Sequence, residues 1–127
     1  MAKSNANEPT ETYVEFVVPL LPPSVNHYVK HTRAGRHYVT AEAKAFKEAV
    51  KILGPKFMVG NKKSIYATKF IFELGKGIKG DGSNFLKVLE DALVDAGIIH
   101  SDAAIMQQHW FKKRAALSST RIIVWKL

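Results

Sequence analysis

Residues 64–112 read SIYATKFIFELGKGIKGDGSNFLKVLEDALVDAGIIHSDAAIMQQHWFK, and three changes of pattern inside this stretch decide the fold. Ser64–Leu74 alternates, with Tyr66, Thr68, Phe70, Phe72 and Leu74 on one side, which predicts a long strand. Gly75–Ser83 holds four glycines and two lysines and predicts a loop. From about Asn84 the period changes: Phe85, Val88, Leu89, Ala92, Leu93 and Ala96 recur at helical spacing, and Gly97 is placed as the residue just past the helix end. Ala104–Lys112 then returns to strand periodicity.

Outward from this centre, Ser119–Lys126 predicts a last strand, closing the sheet with Ala104–Lys112 across Lys113–Ser118. Upstream, Thr40 is a candidate N-cap for a helix whose buried stripe is Phe46, Ala49, Val50 and Leu53, with Gly54–Pro55 as its stop. Tyr13–Val18 alternates as a strand and is ended by Pro19, Pro22 and Pro23. His27–Lys30 and Arg36–Val39 are candidate short strands about a turn at Thr32–Gly35. The order is β–loop–α–β–α–β–β. It predicts an α+β fold, a mixed sheet of four to five strands with two main helices packed against it. Residues 1–12 are expected as a disordered polar tail and 13–127 as a single domain, in keeping with a length of 127 residues.

The charge balance is the first functional signal. Nineteen Lys and Arg against eleven Asp and Glu give +8, with a pI near 9.8. An excess of that size points to a polyanionic partner, since each neutralised phosphate releases condensed counterions. Cysteine is absent, which excludes disulfides and thiolate metal sites. No apolar run approaches the roughly 18 residues that a membrane span needs, and Met1–Thr12 offers no signal-peptide core. The expectation is a cytoplasmic protein with no membrane partner.

Asp81 sits in the glycine-rich loop at the mouth of the second helix, Lys87 one turn inside it, and Asp102 beyond its end. That helix spans roughly 18 Å for twelve residues. Five extended residues from Gly97 to Asp102 can return about 17 Å. The chain can therefore double back and bring both carboxylates to the helix N-terminus, an end that also attracts phosphate. Two carboxylates plus a substrate phosphate are a common way to hold Mg²⁺. The same residues also read as a cap, a solvated face and a turn.

LPPSVNHYVKHTRAGRHYVTAEAKAF (residues 21–46) together with GDGSNFLKVLEDALVDAGIIHSDAAI (residues 80–105) resembles the RusA family of Holliday junction resolvases over most of residues 13–113. In that family a PPS-x-N segment precedes a basic loop, a D-x-D-N motif opens a helix with a lysine inside it, and another aspartate follows an A-G break. The resemblance implies Asp81 and Asp102 as ligands of Mg²⁺ or Mn²⁺ and Lys87 as the catalytic lysine. Asn84 matches the motif's asparagine. It also implies a homodimer that nicks two opposed strands of four-way junction DNA, and a phage or bacterial setting. Ser83 departs from the pattern, standing where the family has its second aspartate. It either weakens metal binding, or is tolerated through a helix cap or a metal-bound water, or marks a change that silences cleavage and leaves a junction-binding protein. Glu73, Glu90 and Asp91 are candidate replacements for the missing charge.

Candidate DNA contacts are Asn26, Lys30, His31, Arg33, Arg36 and His37 in the first basic loop, Lys76 and Lys79 in the glycine loop, Asn84, and Lys112 and Lys113 at the last turn. Asn26 reads first as a turn residue whose amide holds the loop by local hydrogen bonds, and second as a DNA contact. His27, His31, His37, His100 and His109 show no zinc-like spacing. His100, two residues before Asp102, reads as a proton-transfer aid or a surface turn residue. Of Trp110 and Phe111, adjacent in a strand, one should face the core and the other a dimer interface or DNA. A more remote reading is a single-strand-binding module that stacks bases on Tyr28, Tyr38 and Trp110.

Overall fold

In the computed structural model the described residues are 11–23, 29–31, 37–80 and 82–127, with only the backbone described at 29–31 and 37–39. The strands are β1 (Tyr13–Val18), β2 (Val29–His31), β3 (His37–Val39), β4 (Tyr66–Leu74), β5 (Ile105–Arg114) and β6 (Ser119–Lys126). The helices are α1 (Ala41–Leu53) and α2 (Leu86–Asp95), and short 3₁₀ turns cover Gly82–Phe85 and Asp102–Ala104. The fold is α+β, as the patterning predicts.

The main sheet has the order β1-β6-β4-β5, while β2 and β3 form a separate antiparallel ribbon. β4 runs antiparallel to β6 and parallel to β5. The two closing strands therefore do not pair with each other: β4 lies between them. The reason lies in β4 itself, where Tyr66, Ala67, Thr68, Phe70 and Phe72 are all fully buried. A strand this apolar takes a central place with a partner on each side, and Phe70 stands between Trp110 of β5 and Ile122 of β6.

The core fills the helix-covered face, where Phe46 and Val50 of α1 and Val88, Leu89 and Leu93 of α2 join Phe70, Phe72, Ile122 and Val124 in one cluster. Thr40 caps α1, its Oγ1 accepting from the Ala43 amide at 3.3 Å. The α1 stripe is shifted from expectation. Ala43, Phe46 and Val50 are buried, whereas Leu53 is 47% exposed. α2 buries Val88, Leu89, Ala92 and Leu93, the expected stripe, and Gly97 follows it with φ 74°, the left-handed turn that favours glycine. Glu11 and Thr12 give their carbonyls to the amides of Gly60 and Lys126. Among the described residues no helix is long and apolar enough to cross a membrane.

Thr68 Oγ1 is buried under the helices without a hydrogen-bond partner among the described residues. An unmade bond at a buried hydroxyl costs about 1–3 kcal/mol. Thr68→Val keeps the shape and deletes the orphan, so it is expected to raise stability by about 1 kcal/mol and Tm by about 3 °C. A thermal melt checks this. An unchanged or lower Tm would show that the hydroxyl has a partner after all, such as a buried water.

Candidate active site

The segment between β4 and α2 is built by close approach. A Cβ added at Gly80 would lie 2.7 Å from the Phe85 ring, and one at Gly82 would lie 2.3 Å from the Trp110 indole. Only glycine fits where backbone is pressed onto a ring. Lys112 Nζ donates to the Gly80 carbonyl at 3.0 Å, and the Arg114 guanidinium donates to the carbonyls of Ile78 and Gly75. Trp110 also packs against Phe72, which meets Phe85 edge-on at 5.0 Å. Asp81, between the two glycines in sequence, lies outside the described residues.

The 3₁₀ turn Gly82–Phe85 leads directly into α2, with Ser83 exposed and Asn84 half-buried. The cap position of α2 falls on Phe85, which makes no side-chain capping bond. Lys87 is 54% exposed, and its Nζ lies 3.3 Å from Asp91 Oδ1 one turn on. Glu90, also half-buried on this helix, accepts from Gln108 Nε2 of β5 at 2.9 Å. Glu73 is paired with Lys113 at 3.7 Å.

Asp102 is exposed at the other end of β5, in a turn capped by Ser101, whose Oγ accepts from the Ala103 amide at 3.1 Å. The approach to this turn is fixed. The Ile98 carbonyl accepts from the Val59 amide at 2.8 Å. His100 Nε2 lies 2.8 Å from the Ser64 carbonyl, and its ring tilts against Tyr66. Residues 98–100 therefore cross to the start of β4 rather than returning along α2.

This corrects the expectation that the chain doubles back to the N-terminus of α2. Because β5 is parallel to β4, it must begin at the end where β4 begins, which is where α2 finishes. Gly82 packs on Trp110, five residues along β5 from Ile105, a rise of about 16 Å at 3.3 Å per residue. Oxygens bound to one Mg²⁺ at about 2.1 Å lie within roughly 4.2 Å of each other. Asp102 and the Gly82–Lys87 segment of one chain are too far apart to share an ion. Among the described residues, no group of three or more His, Cys, Asp or Glu is gathered so that it could hold a metal ion.

Of the candidate DNA contacts, Lys76, Lys79, Lys112 and Lys113 are exposed around the glycine loop and the end of β5. Lys30, His31 and His37 lie in the β2–β3 ribbon, where His31 pairs with His37 through the backbone. Asn26, Arg33 and Arg36, with the expected stacking residue Tyr28, lie outside the described residues. Phe111 is 53% exposed and Trp110 packs against the core, so the two adjacent aromatics divide as expected. Sequence reading missed the part played by Arg114 and the reason for the two glycines. The alternation of β5, which puts Trp110, Lys112 and Arg114 on one side, was the available signal.

A basic α+β domain with a glycine-flanked aspartate opening a helix, and lysines around that opening, has the makings of a phosphodiester-directed enzyme. The chain belongs to the RusA endodeoxyribonuclease family: the family described as Endodeoxyribonuclease RusA matches residues 19–124. No curated protein matches the chain. Membership implies a nuclease of the Holliday junction resolvase type.

Proposed function

We propose that the protein is a homodimeric, Mg²⁺- or Mn²⁺-dependent endonuclease that resolves four-way DNA junctions, with each active site shared between two copies of the chain. The observation that carries the shared site is the position of Asp102, at the opposite end of β5 from Gly82 and Lys87. A two-fold partner is the economical way to unite the two ends. β5 is an edge strand among the described residues, and its free backbone groups favour pairing with another strand. Antiparallel pairing of two β5 edges about a point near Met106 would set Asp102 of the partner subunit level with Trp110 and the GDG segment. Met106, 57% exposed, lies on that edge.

The donor chemistry fits a hard cation. Carboxylates at Asp81 and the partner's Asp102, with the Ser83 hydroxyl and the Asn84 amide oxygen nearby in sequence, form an all-oxygen set. A bound Mg²⁺ would polarise the scissile phosphate and ease deprotonation of water. The chain's own contributions are separate. Lys87, exposed at the start of α2 beside Asp91, stabilises charge growing on the phosphate. Lys76, Lys79 and Lys113 hold the flanking backbone, and two-fold symmetry matches two opposed strands.

The test is cleavage of a labelled four-way junction with Mg²⁺ or Mn²⁺. Paired symmetric nicks, abolished by Asp81→Asn, are the expected result. Junction binding with no nicking in either metal would defeat the catalytic reading and leave a junction-binding protein. Preference for single strands, lost on Trp110→Ala, would favour base stacking instead.

A further inference from the structure

We propose that Trp110, Lys112 and Arg114 are positioning residues that clamp the loop carrying Asp81, so that Lys112 serves the metal site rather than the DNA backbone. The inference deepens the resolvase reading and rests on it. The three residues are spaced two apart on β5 and share one side of the strand. Each takes a different part of the loop: the indole underlies Gly82, the ammonium holds the Gly80 carbonyl at 3.0 Å, and the guanidinium holds the Ile78 and Gly75 carbonyls. The far side of Gly80 is closed by the Phe85 ring.

The backbone on both sides of Asp81 is thus fixed by contacts from one strand. A carboxylate ligand needs its backbone held if it is not to spend binding energy on ordering a glycine loop, because glycine loses the most conformational freedom. Loop 75–80 contains three glycines and its residues 76–79 are exposed; the Ile78 amide bonds the Gly75 carbonyl and the Gly75 amide bonds Ser118 Oγ, so the Gly80 end next to Asp81 needs a restraint from outside the loop. β5 supplies that restraint. It is also the strand that leads from Asp102, so in the dimer each chain's β5 would hold one half of each of the two shared sites.

Lys112→Met tests this in the full chain, because the residue is exposed and the change leaves the core intact. Mn²⁺ binding without DNA, read by water-proton relaxation, is expected to weaken about tenfold, as for other residues that support a ligand. Junction affinity in EDTA and its salt dependence should stay as in the parent, and Lys112→Arg should restore Mn²⁺ binding. Amide exchange across residues 75–80 reads the clamp without any metal, and Lys112→Met should speed it. The opposite pattern overturns the proposal: unchanged Mn²⁺ binding and exchange, with weaker junction binding and a salt slope lower by about one, the mark of a phosphate contact. If the parent chain binds no Mn²⁺ and shows no preference for junctions, the resolvase reading fails. The clamp then loses its assigned purpose even where exchange still responds.

Discussion

Asp102→Asn is expected to lower junction cleavage by about 10³-fold while leaving the fold and junction binding in EDTA nearly unchanged. The amide has the same size as the carboxylate, so only charge and metal affinity are lost. Asp102 is exposed and lies in a turn held by Ser101 and by the His100–Ser64 contact, not by its own side chain. Surface changes of that kind usually alter stability by less than about 0.5 kcal/mol. A thermal melt matched to the parent, together with single-turnover nicking rates, separates lost chemistry from lost fold. Nicking within tenfold of the parent would remove Asp102 from the metal site.

The second large effect is a gain. Ser83→Asp is expected to lower the Mg²⁺ concentration for half-maximal cleavage by about tenfold or more, because carboxylate count governs the affinity of an oxygen site. Ser83 is exposed in the 3₁₀ turn ahead of α2, so the larger side chain has room. It also stands close to the positive end of the helix, where a carboxylate is favoured. Nicking by Ser83→Asp alone, with none from the parent, would identify a resolvase scaffold silenced at one ligand. A Mg²⁺ requirement that stays the same or rises would mean that position 83 does not face the ion.

The elements were legible because their periodicities are strong. β4 alternates from Thr68 to Leu74, and α2 carries its apolar residues on one stripe with a glycine after its end. The order of strands was less accessible. Alternation in β5 and β6 reports which side chains are buried, not which strand lies alongside, and a short connection such as residues 115–118 resembles that of a hairpin. The misplacement of Asp102 beside the start of α2 has a similar origin. Extended-chain reach sets an upper limit on where residues can go, whereas Ile98 and His100 are drawn to Val59 and Ser64 by contacts remote in sequence. Gly80 and Gly82 looked like loop glycines, and only the packed rings of Phe85 and Trp110 show why no side chain fits. The bond from Lys112 to Gly80 joins residues 32 positions apart, so no local pattern could announce it.

The shared site is tested most directly by complementation between two inactive chains. Asp81→Asn and Asp102→Asn proteins would be co-expressed with different tags, and the mixed dimer isolated and assayed on a four-way junction. If each site draws Asp81 from one copy and Asp102 from the other, the mixed dimer has one site with both aspartates and one with neither. It should then nick single strands at about half the parent's total rate, with paired nicks lost. If each site lies within one chain, both sites of the mixed dimer carry a defect, and a mixed dimer as inactive as its two parents would contradict the shared site.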